Sequence, residues 1–201
     1  MKNIDDLLLG ISNVSRETLT ALEDYIQLVS EWNKSINLLS RNTTDELLKR
    51  HIVDCLQIMN FIKDRNIHVV DVGSGAGLPG VILSIAGINM VTLVEANSKK
   101  AAFLLQAAQI SSNKIEIINA RIEDINIECD VVTGRALADL NMIFSYVEHL
   151  AVKDKYLLLK GSKYQEELIK AQKNWQFDHI IHDSILSNTS KILEINNLVK
   201  I

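Results

Sequence analysis

Proline is almost missing from this chain: Pro79 alone, in 201 residues. Cysteine is nearly as scarce. Cys55 and Cys129 stand far apart without metal-type spacing, which excludes a disulfide frame and fits a reducing, cytosolic setting. No apolar run is long enough to span a membrane. Met1 to Gly10 carries Asp5 and Asp6, with no basic region ahead of a long apolar run, so no signal peptide is expected and a cytoplasmic location is. Basic charge is not in excess. The formal net charge of −4 argues against broad, sequence-blind nucleic-acid binding, though not against RNA met through a local patch. His68, His149, His179 and His182 show no metal spacing and read as structural or exposed, so no metal is expected. Repeats, low-complexity tracts and long linkers are absent too.

What is present is apolar patterning. Hydrophobic residues make up 47% of the chain, enough for one ample domain, with or without a helical extension. Leu19, Leu22, Ile26, Val29 and Trp32 follow a three-to-four period. Thr43 with Glu46 three residues later has the form of a capping box, and Leu48, Ile52, Cys55 and Met59 mark one face of the helix it would start. Residues 1–65 are thus expected to form a helical N-terminal extension packed on a core of residues 66–201, as one compact unit. In that core strands are predicted at Ile67–Val72, Met90–Glu95, Ile115–Asn119, Asp130–Thr133 and Tyr156–Lys160. Helices are predicted at Leu78–Ala86, after Ser98 as cap, after Asp139 as cap, and at Lys163–Lys173. Phe177–His182 and Lys191–Ile195 lack a helix between them and predict a closing hairpin. The fold class is α/β: a Rossmann-like, mostly parallel sheet with an antiparallel C-terminal edge.

The richest stretch is Val69-Val70-Asp71-Val72-Gly73-Ser74-Gly75-Ala76-Gly77-Leu78-Pro79-Gly80. It reads as strand, tight turn and helix, the form of a nucleotide-type cofactor site. The dinucleotide fingerprint is Gly-x-Gly-x-x-Gly, whereas here glycines fall at 73, 75 and 77 and Leu78 follows. Asp71 would repel a pyrophosphate but can sit near an amino acid's ammonium group, through water or backbone. Glu95 ends the next strand about 20 residues on, where a carboxylate grips ribose hydroxyls. A ribose with free hydroxyls, an amino-acid tail and no phosphate describes S-adenosylmethionine. A nicotinamide cofactor and a purely structural turn are the alternatives.

Ligands in such sheets bind outside the carboxyl ends of the strands. Two further strand ends qualify. Glu123 can accept from an adenine amino group with Ile122 packing on the ring, or be part of a solvated acidic turn. Arg135 can hold a carboxylate, stack on a base, or form a surface ion pair. Absences narrow the acceptor. There is no Asn/Asp-Pro-Pro-aromatic turn after the fourth strand, as amine methylation commonly uses, and neither cysteine is placed as a nucleophile for a pyrimidine carbon. An acceptor with a ready lone pair, such as guanine N7, needs no general base, so no certain catalytic residue is expected; proximity and orientation can supply roughly 7–11 kcal/mol. Three basic or polar clusters could meet RNA: Trp32-Asn33-Lys34 with Asn37, Lys49-Arg50-His51, and Lys160-Gly161-Ser162-Lys163. Each could equally be an ordinary solvated face.

Asp71 through Gly80 also resembles the signature of the bacterial small-subunit rRNA guanine-N7 methyltransferases, the glucose-inhibited division protein B family. Trp32-Asn33-Lys34 with Asn37-Leu38, Arg50-His51-Ile52-Val53-Asp54, Gly134 through Leu140, and Leu159-Lys160-Gly161 are similar to other segments of that family, and the likeness runs over roughly residues 20 to 195. Gly134 stands where the family usually has serine. The resemblance implies a class I methyltransferase fold, S-adenosylmethionine as cofactor, and a guanine of 16S rRNA in the small ribosomal subunit as target. It implies cofactor contacts at Gly73, Leu78, Ile122, Glu123 and Arg135. Added to the readings above, the expected cofactor set is Asp71, Gly73, Gly75, Gly77, Leu78, Glu95, Ile122, Glu123 and Arg135, with Arg135 at the junction with substrate. The expected RNA set is Asn37, Arg50, His51, Lys160 and Lys163, and a monomer is favoured. A small-molecule methyltransferase and a non-catalytic cofactor- or RNA-binding module are the rival readings.

Overall fold

The structure, a computed structural model, describes residues 14–39 and 45–201. Helix α1 (Arg16–Trp32) is capped by Ser15, whose hydroxyl accepts from the Thr18 amide at 3.2 Å. It buries Leu22, Tyr25 and Val29, one face at helical spacing. Helix α2 (Asp45–Leu56) runs on into a 3₁₀ segment, Gln57–Phe61, and Leu48, Ile52, Cys55 and Met59 are all buried as their period predicts. The capping interaction expected between Thr43 and Glu46 lies outside the described residues.

A sheet follows, with β1 (His68–Val72), β2 (Met90–Val94), β3 (Lys114–Ile118), β4 (Glu128–Arg135), β5 (Ala151–Lys160), β6 (Trp175–Asp183) and β7 (Lys191–Lys200). Between them lie α3 (Gly80–Ile85), α4 (Ser98–Ala107), α5 (Leu140–Val147) and α6 (Tyr164–Ala171). The strands take the order β3-β2-β1-β4-β5-β7-β6. The first five are parallel, and β7 runs antiparallel to both β5 and β6. The hairpin expected at the C-terminal edge is therefore present, with its reversed strand β7 inserted second from the edge and β6 outermost. The chain leaves β1 toward β2 on one side and returns at β4 on the other, and this switch point opens a crevice outside the strand ends.

Alternation along β1 divides the core. Val69 packs in one cluster with α1 to α4, while Val70 and Val72 pack in a second with α5, α6 and Trp175. The N-terminal helices thus share the core of one sheet face.

Local details differ from expectation at three places. The cap of α4 is Asn97, whose Oδ1 accepts from the amides of Lys99 and Lys100; Ser98 is the first helical residue. The polar stretch Ala151–Lys155 belongs to β5, held against β4 across a register shift. Strand β7 extends past Ile195 because Asn196 and Val199 pair with β6. Asp139 caps α5 as expected, accepting from the Met142 amide at 3.0 Å.

Candidate active site

The turn after β1 is built from its glycines outward. Gly73, Gly75 and Gly77 have φ of +67°, +57° and +82°, backbone that residues with a Cβ rarely adopt. At Gly73 and Gly77 a Cβ would also strike Leu137 and Val81, both at 2.4 Å. At Gly75 the space is open, and its amide donates to Glu95 Oε2 at 2.8 Å. The other carboxylate oxygen of Glu95 accepts from the Asn97 amide at 2.8 Å. Glu95 thereby ties the glycine loop to the start of α4.

Beneath the loop lies Asp71, fully buried. Its Oδ2 accepts from the Gly80 amide at 3.0 Å, and Oδ1 has no partner. Burial pushes the carboxyl up to about 7, against the Gly80 and Ser74 hydrogen bonds that lower it. A Cβ at Gly80 would meet Leu93 at 2.3 Å and Asp71 Oδ2 at 2.7 Å, so helix α3 can start there only with glycine. From the other side the Tyr25 hydroxyl donates to the Ala76 carbonyl at 2.5 Å, so α1 props the loop.

Three cavities meet at Ala136, and two of them reach this loop. The first, about 360 Å³, is lined by Gly73, Glu95, Ile122, Glu123, Leu137 and Tyr146, among others. The second, about 330 Å³, has Leu38, His51, Gly75, Leu78, Lys100 and Arg135 in its walls. The third, about 390 Å³, includes Asp54, Arg135, Ala138, Leu159, Lys160 and Glu167. Ala136 lies on all three, and Arg135 on the second and third. Ala136 has φ +50°, a strained conformation for a residue with a side chain, of the kind found where a site fixes the backbone.

Arg135 is held from α2. Its Nη2 donates to His51 Nδ1 at 2.5 Å. Burial and the neighbouring guanidinium hold the imidazole down at about 4, so it is neutral at physiological pH with its proton on Nε2. Cys55, one turn on, is fully buried and pushed up to about 12, which makes it inert as a nucleophile. Burial likewise holds Cys129 at about 12.

The expected site residues divide clearly. Gly73, Gly75, Leu78, Glu95, Ile122, Glu123 and Arg135 line the first two cavities. Asp71 and Gly77 do not: Asp71 lies beneath the loop and accepts from the Gly80 amide, and Gly77 faces Val81 and Leu104. Of the RNA set, Asn37, Arg50 and Lys163 are exposed. His51 sits against Arg135, facing the second cavity. Lys160 is placed differently from expectation. Its side chain is only 6% exposed, its ammonium lies 2.6 Å from Glu167, and it donates to the Ala138 carbonyl at 2.7 Å. A strand end that faces the rim also faces α6, and Glu167 of that helix claims the charge. Tyr25, Lys100 and Ala136 were not foreseen. Tyr25 does share the buried period of α1, but nothing in a period announces a hydroxyl.

These residues suit an adenosyl group carrying an amino-acid tail. Glu95 retains acceptor capacity for vicinal hydroxyls, Ile122 offers an apolar face and Glu123 an acceptor for an amino group. The Gly75 amide, which a dinucleotide loop would direct at a pyrophosphate, is taken by Glu95. Among the described residues no group of His, Cys, Asp or Glu could hold a metal, and no helix is long and apolar enough to cross a membrane.

Fold and loop together define a class I methyltransferase, the class whose cofactor is S-adenosylmethionine. Among solved structures, the fold matches a ribosomal protein L11 methylase from Lactobacillus delbrueckii subsp. bulgaricus (TM-score 0.59, 15% identity, 74% of this chain and 78% of that one). It also matches the magnesium protoporphyrin IX methyltransferase of Synechocystis PCC 6803 with bound SAM (TM-score 0.56, 13% identity, 92% and 98%). In sequence, residues 18–196 match the family model described as rRNA small subunit methyltransferase G. The Ribosomal RNA small subunit methyltransferase G of Rickettsia prowazekii (strain Madrid E) is 50% identical over 188 residues, 94% of this chain and 98% of the relative. The chain belongs to the rRNA small subunit methyltransferase G family.

Proposed function

We propose that this protein methylates N7 of a guanine in 16S rRNA of the small ribosomal subunit. The observation that carries the reading is the run of three cavities meeting at Ala136, with Arg135 across the last two. Two accommodate the adenosyl and amino-acid parts of the cofactor, and the third is left for a base. Glu95, Ile122 and Glu123 would hold the adenosyl group; Gly75 and Leu78 would flank the amino-acid tail. S-adenosylmethionine, when bound, supplies an electrophilic methyl group.

The protein's own contribution is orientation. Guanine N7 has an in-plane lone pair and no proton, so the site has no proton to remove. The groups at the junction agree with this. His51 uses Nδ1 to accept from Arg135, and the Cys55 thiol stays protonated. Arg135, fixed by His51, is aimed at the boundary between the second and third cavities, where it can donate to a purine O6.

The test is transfer of a labelled methyl group to total RNA and ribosomal protein from cells lacking the enzyme. Label is expected in small-subunit RNA alone; label in protein, in large-subunit RNA or nowhere rejects the proposal.

A further inference from the structure

The third cavity holds a half-buried carboxylate with an open oxygen. Three acids line it: Asp54, Asp139 and Glu167. Glu167 is neutralised by Lys160 and also accepts from the Leu140 amide. Asp139 is exposed and engaged as the cap of α5. Among the described residues Asp54 has no ion pair. Its Oδ1 accepts from Gln57 Nε2 at 2.6 Å and from the Ser184 hydroxyl at 3.1 Å, while Oδ2 carries no hydrogen bond among the described residues. Gln57 is itself oriented, because its Oε1 accepts from the Ile185 amide at 3.0 Å. A carboxylate aimed by two donors, one of them from the segment between β6 and β7, with one oxygen left open, is a built acceptor.

We propose that Asp54 reads the Watson–Crick edge of the target guanine. Building on the guanine-N7 reading above, the purine enters the third cavity with N7 and O6 toward Arg135 and the second cavity. The adjoining Watson–Crick edge, which shares O6, then presents N1–H and the N2 amino group, two donors that match a carboxylate. Adenine would turn the bare N1 lone pair toward Asp54 and be repelled. The same anion faces a purine that becomes cationic once N7 is methylated, so the contact strengthens as the reaction proceeds.

Inosine separates this contact from the reaction, since it keeps N7 and O6 but lacks the 2-amino group. The experiment compares small-subunit RNA carrying guanosine or inosine at the position the wild-type enzyme labels. Wild type is expected to favour guanosine by roughly 10- to 100-fold in kcat/KM, the size of a lost hydrogen bond to a charged group. In Asp54→Asn, Gln57 and Ser184 hold the amide oxygen, so Nδ2 faces the guanine donors. Transfer to guanosine should fall at least about 10-fold and the guanosine-to-inosine ratio collapse toward one. Melting and S-adenosylmethionine binding of the variant are measured alongside and should stay near wild type. Equal losses on both substrates, with the ratio kept, would overturn the proposal. Should the variant fail to fold, the wild-type ratio decides alone, and a value near one rejects the contact. If wild type puts no label on guanosine N7 at all, it is the functional reading that fails.

Discussion

At the scale of single residues, the site is governed by how burial treats charge. Arg135 is the clearest case, because His51 keeps it aimed without adding a second positive charge. Arg135→Ala should lower methyl transfer about 100-fold or more, as loss of an electrostatic donor at a reaction centre does. Its melting temperature should stay within a few degrees of wild type; unchanged kcat/KM would remove Arg135 from the site. Asp71 and His51 also set opposite pH dependences. Asp71 binds its proton more tightly when folded, at about 7 against an ordinary 3.8, so its contribution to stability is present in acid and lost as pH rises from about 4 to about 7. His51 binds its proton less tightly, at about 4 against 6.5, so its contribution is lost as pH falls through that interval. Between about 4 and 6.5 the two slopes oppose each other. Relative to wild type, Asp71→Asn should lose stability on acidification and His51→Gln should gain it, read from thermal melts across that range. Parallel curves for all three proteins would show that neither group is perturbed.

At the scale of elements, the N-terminal helices act on the cofactor loop and on Arg135. Helix α1 supports the loop through Tyr25, and α2 presents His51, Asp54 and Cys55 on one face toward the β4 end. Tyr25→Phe leaves the buried Ala76 carbonyl without its donor and should cost roughly 1–3 kcal/mol. The loop it supports should then bind S-adenosylmethionine several-fold more weakly in calorimetry; affinity equal to wild type would mean the loop stands without α1. Helix α6 gives a contrasting case. Lys160→Ala strands Glu167 in a mostly buried place and should destabilise by about 3 kcal/mol, while leaving the salt dependence of RNA binding as it was. Lys163→Ala, on the exposed rim, should do the reverse, lowering the salt slope by about one counterion. Equal behaviour of the two variants would return Lys160 to the RNA interface. Their difference also marks the limit of sequence reading. The spacing of glycines 73, 75 and 77, the acid at position 95 and the cap at Asp139 are local patterns, so they were legible. The pairing of Lys160 with Glu167, the reach of Tyr25 to Ala76 and the convergence of Asp54 with Ser184 join distant segments, and no local period records them. Asp71 was legible as special from its place before the glycines, but its bond to the Gly80 amide was not, because a strand residue's face depends on which helix covers it.

At the scale of the whole molecule, the strand order places everything else. The switch between β1 and β4 opens the crevice, the glycine loop and Arg135 stand at its two lips, and α2 contributes His51 and Asp54 to its walls. The alternation of strands and helices predicts this sheet, and the missing helix before β7 predicts its reversal. With a net charge of −4, the chain cannot hold RNA by bulk attraction. Under the proposed function, selection rests on local shape and on the base taken into the third cavity. The central claim is the atom that receives the methyl group. The most direct measurement is nucleoside analysis of small-subunit rRNA, isolated from cells lacking the enzyme and labelled by the purified protein with tritiated S-adenosylmethionine. The account predicts all label in 7-methylguanosine; label in any other nucleoside would contradict it.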